Sequence, residues 1–182
     1  MRRYRNRIQT SFGPLRIVDA KVDNAEAILN LFSSVVAENI YMATMIEELD
    51  RTVQQQEDII HVCLKNTNCC FMEAYIDRFL IGAMSVWGGD LTRTSHVGTL
   101  EIFVATKYRG GGIGEAMMRT LITWATENPV LEKLSLSVFA DNLPAIQLYE
   151  KLGFAVEGCA VGDFREKDGR LRDRLLMARW CT

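Results

Sequence analysis

Four glycines in five positions, Gly110-Gly111-Gly112-Ile113-Gly114, stand where two incompatible hydrophobic periodicities meet. Before them, Val97 to Val104 is rich in β-branched and aromatic residues and reads as a strand. After them, Ile113, Met117, Leu121 and Trp124 recur at helical spacing. A chain written this way must pass from strand to helix through a segment almost without Cβ atoms. The first-turn amides of that helix have no partner within it. With the positive end of the macrodipole they favour an anion, above all a phosphate, and glycine lets the bound group approach the backbone closely. No Lys-Ser or Lys-Thr pair follows, which excludes a Walker A loop. Counting on from Gly110 and Gly112 reaches Glu115, which excludes the dinucleotide fingerprint. The pattern is Arg109-x-x-Gly112-x-Gly114; taken alone, it also fits a flexible connection with ordinary cap glycines.

A second segment adds to the first. Leu134 to Val138 reads as a short strand, and Asn142-x-x-Ala145-x-x-Leu148-Tyr149-x-Lys151-x-Gly153-Phe154 follows it. Asn142 is placed at a helix N-terminus, Gly153 stops the helix and Phe154 opens the next strand. With both motifs in this order, the chain resembles the GNAT superfamily of acyl-CoA-dependent N-acyltransferases. The resemblance implies an α/β fold, α+β in some schemes. Its centre is a mixed, mostly antiparallel sheet of about seven strands with helices on both faces.

Composition sets outer bounds. The 182 residues suffice for one core. We expect a basic tail over residues 1–13 and one acetyltransferase domain over 14–182. A formal charge of −2 and a pI near 5.8 argue against nucleic acid as a partner. No apolar run approaches the ~20 residues of a membrane span. Arg2, Arg3, Arg5 and Arg7 lack a following apolar stretch, so a solvated tail is expected, with a transit segment as the alternative. Five cysteines without a Cys-x-x-Cys suggest reduced thiols and a cytoplasmic protein. His61-x-Cys63 is read as a buried helix side rather than half of a metal site, and no metal is expected.

Along the chain, Leu15 to Val18 suggests the first strand, and Asp23-x-x-Glu26 a capping box for a helix presenting Ala27, Ile28, Leu31, Phe32 and Val35. Residues 39–51 look irregular, and Thr52-x-x-Gln55 opens a helix to about Leu64. Cys69 to Tyr75 and Phe79 to Trp87 form a hairpin. Ala155 to Val161 and Arg172 to Trp180 form two late strands joined through Asp168-Gly169.

By the resemblance, the strands around Val104 and Leu136 splay, and the pantetheine arm of acetyl-CoA pairs with Ile102, Phe103 and Val104. Arg109, Gly110, Gly111, Gly112, Ile113 and Gly114 grip the pyrophosphate, and Asn142 contacts the cofactor while capping its helix. Many relatives carry Lys or Arg where this chain has Gly111. Tyr149 is the implied general acid, with a core aromatic as the competing reading. Glu101 is the implied base, with a solvated strand carboxylate as the competing reading and Asp141 and His96 as fallbacks. A Glu five positions before the motif's Asn is common in enzymes acting on protein N-termini; here that position is Ser137. The acceptor pocket is expected from residues 38–51 and 164–174. The first segment brings Glu38, Tyr41, Met42, Glu47, Glu48 and Asp50, apolar and acidic side chains mixed; an acidic pocket would attract a cationic amine, with an ordinary amphipathic helix face as the competing reading. The expected function is transfer of an acetyl group from acetyl-CoA to a primary amine in a ternary complex, small-molecule amines favoured. Protein amines or a non-catalytic acyl-CoA sensor are the alternatives. A homodimer is possible.

Overall fold

The computed structural model describes residues 5–38 and 40–181. The glycine run falls between strand β5 (Val97–Val104) and helix α3 (Ile113–Thr126), with one short 3₁₀ turn at Thr106–Tyr108 between them. The other strands are β1 (Arg5–Thr10), β2 (Gly13–Asp19), β3 (Cys69–Ile76), β4 (Phe79–Gly88), β6 (Lys133–Phe139), β7 (Ala155–Arg165) and β8 (Leu171–Trp180). They make one eight-stranded sheet of order β1-β2-β3-β4-β5-β6-β8-β7. Every neighbouring pair is antiparallel except β5 and β6, which are parallel because α3 carries the chain across the sheet between them.

Helices cover both faces. Alternation along β5 decides which residue meets which layer. Leu100, Ile102 and Val104 face the larger core with Met84, Met117, Leu121 and Leu136, under α3 and α4 (Leu143–Lys151). Phe103 faces the smaller core with Ile28 and Ile60, under α1 (Ala25–Val36) and α2 (Val53–Lys65). Alpha3 is apolar toward the sheet at Ile113, Met117 and Leu121, each at most 1 % exposed. Truncating such a side chain to Ala costs about 2–5 kcal/mol.

Three expectations need correcting. Residues 5–10, read as tail, form β1, which pairs with β2 from Arg5↔Val18 to Thr10↔Gly13. Ile8 packs on the larger core, Thr10 Oγ1 donates to the Gly13 carbonyl at 2.7 Å, and Gly13 takes a φ of 104° to close the turn. Arg2 and Arg3 lie outside the described residues. The Asp23–Glu26 capping box is absent: Val22–Asn24 is a 3₁₀ turn, and Asn24 precedes α1 without a side-chain cap bond. Its Nδ2 instead donates to the buried Glu73 carboxylate at 2.9 and 3.0 Å and to Tyr75 Oη at 3.0 Å. His61 is exposed on α2, whereas Cys63 is buried. The Thr52–Gln55 capping box is present, with bonds of 3.2 and 2.7 Å.

Candidate active site

Strands β5 and β6 pair only at Val97↔Lys133, Gly98↔Leu134 and Thr99↔Ser135. Beyond that point β5 stays on β4 as far as Val104↔Gly82, while β6 follows β8 to Phe139↔Arg174. Among the described residues, the facing edges of Leu100–Val104 and Leu136–Phe139 therefore have no ladder partner. A cavity of about 350 Å³ occupies the opening. It reaches Ile28, Phe32 and Glu101 on the α1 side and Asn142 and Tyr149 on the α4 side.

The glycine loop sits at the end of β5. Amides of the six residues Gly110 to Glu115 have no acceptor among the described residues; the first bond of α3 is Ala116 N to the Gly112 carbonyl. Gly110 and Gly112 have φ of 76° and 81°, and the space above each is open for at least 4 Å. These left-handed turns are what a side chain would resist. Gly111 answers a different constraint. A Cβ there would come within 2.2 Å of the Phe12 ring, because the β1–β2 turn lies against the loop. Ser11 Oγ donates to the Gly111 carbonyl at 3.4 Å, and Phe12 stacks edge-on to Tyr108 at 5.3 Å. A Lys or Arg at this position would have to displace the Phe12 ring and the Ser11 hydroxyl. Glu115, the acidic residue nearest the free amides, is bound to Arg119 at 2.9 Å and Lys151 at 2.6 Å.

Arg109 is not free at this loop. Its Nη1 and Nη2 donate to the Glu38 carboxylate at 2.5 and 3.0 Å, and its Nε donates to the Val104 carbonyl at 2.9 Å. Thr106 Oγ1 also donates to Glu38. Partial burial pushes the Glu38 carboxyl up. The hydrogen bonds from Arg109 and Thr106, with the guanidinium charge, outweigh burial and hold it below the usual carboxylate value.

The remaining sequence-expected residues divide between the two sides. Ile102 and Val104 pack toward α3, and Phe103 lies edge-on to Phe32 at 5.3 Å. Asn142 caps α4, accepting from Ala145 N at 3.4 Å, and lines the cavity. Tyr149 is part-buried beside Phe154, their ring centroids 6.0 Å apart, and desolvation pushes its phenol up to about 12. Glu101 is exposed on strand β5 and lines the cavity from the opposite face. His96 is outside the lining, and Asp141 is paired with Arg172 at 2.6 Å.

The expected acidic acceptor wall is not there. Glu38 binds Arg109, Glu47 binds Lys167 at 2.6 Å, Glu48 accepts from Met45 N at 2.9 Å, and none of these nor Asp50 lines the cavity. Of the residues expected from the irregular segment, Tyr41 and Met42 do line the cavity, joined by Ala43, Thr44 and Arg51, and the late hairpin contributes Phe164 and Arg174. Sequence reasoning missed Arg172, which fixes this roof. Its guanidinium lies 4.1 Å from the Phe139 centroid and 5.4 Å from that of Tyr41, bonds the Ile40 carbonyl at 2.8 Å, and pairs with Asp141 and Glu166. Its partners are up to 132 residues away, so no local pattern announces it. Among the described residues no helix is long and apolar enough to cross a membrane, and no three or more His, Cys, Asp or Glu side chains cluster as metal ligands.

Residues 35–154 match the family described as Acetyltransferase (GNAT) family. The L-amino acid N-acetyltransferase AaaT of Escherichia coli is 32% identical over 106 residues, which cover 58% of this chain and 65% of that protein. A GNAT-family acetyltransferase from Streptococcus pneumoniae superposes with a TM-score of 0.88 at 23% identity, covering 91% of this chain and 99% of the other. The yncA protein of Salmonella typhimurium, solved with its cofactor acetyl-CoA, gives 0.82 at 15% identity, covering 92% and 94%. The chain thus spans just under two thirds of the curated relative and nearly all of both solved neighbours.

Proposed function

The chain belongs to the acetyltransferase (GNAT) family, and on that premise we propose that it moves an acetyl group from acetyl-CoA to the primary amine of a small molecule, in a reducing, cytoplasmic setting. The observation that carries this reading is the break in β5–β6 pairing after Thr99↔Ser135. It leaves a slot of strand width, with amides that lack a partner among the described residues at one end and a cavity lined from both faces of the sheet. The residues fit acetyl-CoA as donor. Six amides without an acceptor among the described residues suit a diphosphate, and the β5 edge at Ile102, Phe103 and Val104, which has no strand beside it and only the Val104 carbonyl taken, by Arg109, suits an extended amide-bearing arm. Asn142 stands at the mouth of α4 beside that arm.

Acetyl-CoA brings an activated acyl group; the chain orients it and handles protons. In this reading the Arg109 guanidinium holds the loop on the end of β5, and the amides of Gly110, Gly111, Gly112, Ile113 and Gly114 take the negative charge. An amine enters from the α1 side, where Glu101 accepts its proton, directly or through water. Its nitrogen bonds to the acetyl carbon as the carbon–sulfur bond breaks. Tyr149, on the α4 side, gives its proton to the departing sulfur. Acid and base thus stand on opposite faces, joined by the slot. A phenol whose ionisation is pushed up to about 12 stays protonated at neutral pH.

Calorimetry with acetyl-CoA and thiol release over a panel of amines test the proposal together. Binding with turnover is expected, and Tyr149→Phe should lower kcat about 100-fold or more with little change in KM. Binding without thiol release from any amine would make the protein a sensor, and equal kcat in Tyr149→Phe would leave that ring a packing role.

A further inference from the structure

Two side chains at the α2 end of the cavity narrow the chemistry of the acceptor. Gln56 is 1 % exposed, yet it lines the cavity, and its Nε2 has no partner among the described residues. The orientation of this amide is fixed by its neighbour. Arg51 Nη1 donates to Gln56 Oε1 at 3.2 Å, and a guanidinium can only donate, so the NH₂ must face the other way. A buried donor left without an acceptor is costly, which points to an acceptor delivered from outside. Arg51 repeats the message. Its guanidinium lies 5.9 Å from the Phe32 centroid and has no carboxylate at ion-pair distance among the described residues. The lining holds a second arginine, Arg174, paired with Asp163 at 2.7 Å, and a single carboxylate, Glu101. A polycation would find there one counter-charge, Glu101, and the repulsion of Arg51, which no carboxylate among the described residues offsets.

We propose that Arg51 and the Gln56 carboxamide form a subsite for the carboxylate of an amino-acid acceptor, its amine directed to Glu101 and its apolar side chain among Ile28, Phe32 and Phe71. The proposal rests on the acetyl-transfer reading for its consequence, but the subsite is measurable without turnover. Carboxylate, amine and side chain each meet matching chemistry along one wall: two donors, one acceptor and an apolar patch. The two donors are charge-assisted and amide types respectively, which suits the two oxygens of a carboxylate.

The test compares L-leucine with 3-methylbutan-1-amine, which differ only by the carboxylate, and with spermidine. Each is titrated calorimetrically into the protein saturated with CoA, and thiol release is then followed with acetyl-CoA. L-Leucine should bind at least about ten-fold tighter than the decarboxylated amine, because a site built to donate hydrogen bonds rejects an analogue lacking the acceptor. Arg51→Gln, at an exposed position, and Gln56→Glu, an isosteric change that sets a like charge against the ligand, should each erase that preference. Equal affinity for the two, tighter binding of spermidine, or an unaltered preference in Arg51→Gln would overturn the subsite. Preferential binding of L-leucine with no thiol released from any amine would uphold the subsite and remove the transfer reading instead.

Discussion

Gly114 is the second residue of α3, and a Cβ there would meet only Leu148 Cδ2 at 3.5 Å, an ordinary contact. The fold therefore accepts a side chain at this point. Glycine inside a helix costs about 1 kcal/mol relative to Ala, and a carboxylate in the first turn complements the macrodipole. Gly114→Glu should leave Tm unchanged or raise it slightly, while CoA affinity falls at least about 100-fold through like-charge repulsion. Scanning calorimetry with and without CoA checks both halves. The same change at Gly112 is a poorer probe, because φ there is 81° and any side chain strains the turn. Tyr149 allows a second residue-scale check. Burial disfavours the phenolate and pushes the phenol up to about 12, so the proton donor persists as pH rises. The kcat profile should show no falling limb below about pH 10; a fall centred near pH 9 would assign the proton to another group. Both residues stand out in the sequence because each sits inside a local motif. Arg172 does not: its role is made by loop 40–44, Phe139 and Glu166, which only the fold assembles.

At the level of elements, the Arg109–Glu38 bridge ties the glycine loop to the segment just after α1. Arg109 reads in the sequence as a phosphate ligand, but its donors point at Glu38 and the Val104 carbonyl. The pairing is invisible beforehand because the partners are 71 residues apart. The ionised Glu38 is favoured in the folded state, so its stabilisation is present above the ordinary value of 4.5 and fades as pH falls through the lowered value. Since both side chains are partly solvated, the bridge contributes about 1 kcal/mol or less. Glu38→Gln should lower Tm by about 2–4 °C at neutral pH, with the gap to wild type closing at acid pH below 4.5. A constant gap across the range would detach the effect from the charge. Capping shows the same division between local and distant causes. Thr52 and Gln55 serve each other and are readable as a pair, whereas Asn24 is drawn to Glu73, 49 residues on, and the apparent Asp23–Glu26 box never forms.

Over the whole molecule, the strand and helix succession from Leu15 to Trp180 is legible because each element keeps its own periodicity. Beta1 is not, since arginines at alternate positions hide the pattern of which Ile8 is the core-facing member. Its recovery matters to the site: the turn at Ser11-Phe12 backs Gly111, so the far edge of the sheet supports the glycine loop. The outline of the cavity is legible in the sequence, but its charge is not. Acidic residues cluster in the segment 38–50, but their partners lie elsewhere in the fold, and the lining is left with Arg51, Arg174 and Glu101. What joins these parts is the slot between β5 and β6, with the free amides at its end. The most direct measurement is amide nuclear magnetic resonance of the ¹⁵N-labelled protein titrated with CoA. Gly110 to Glu115 and Ile102 to Val104 should show the largest shifts and gain protection from exchange together at saturation. Saturation by CoA with the Gly110–Glu115 amides unmoved would contradict the account.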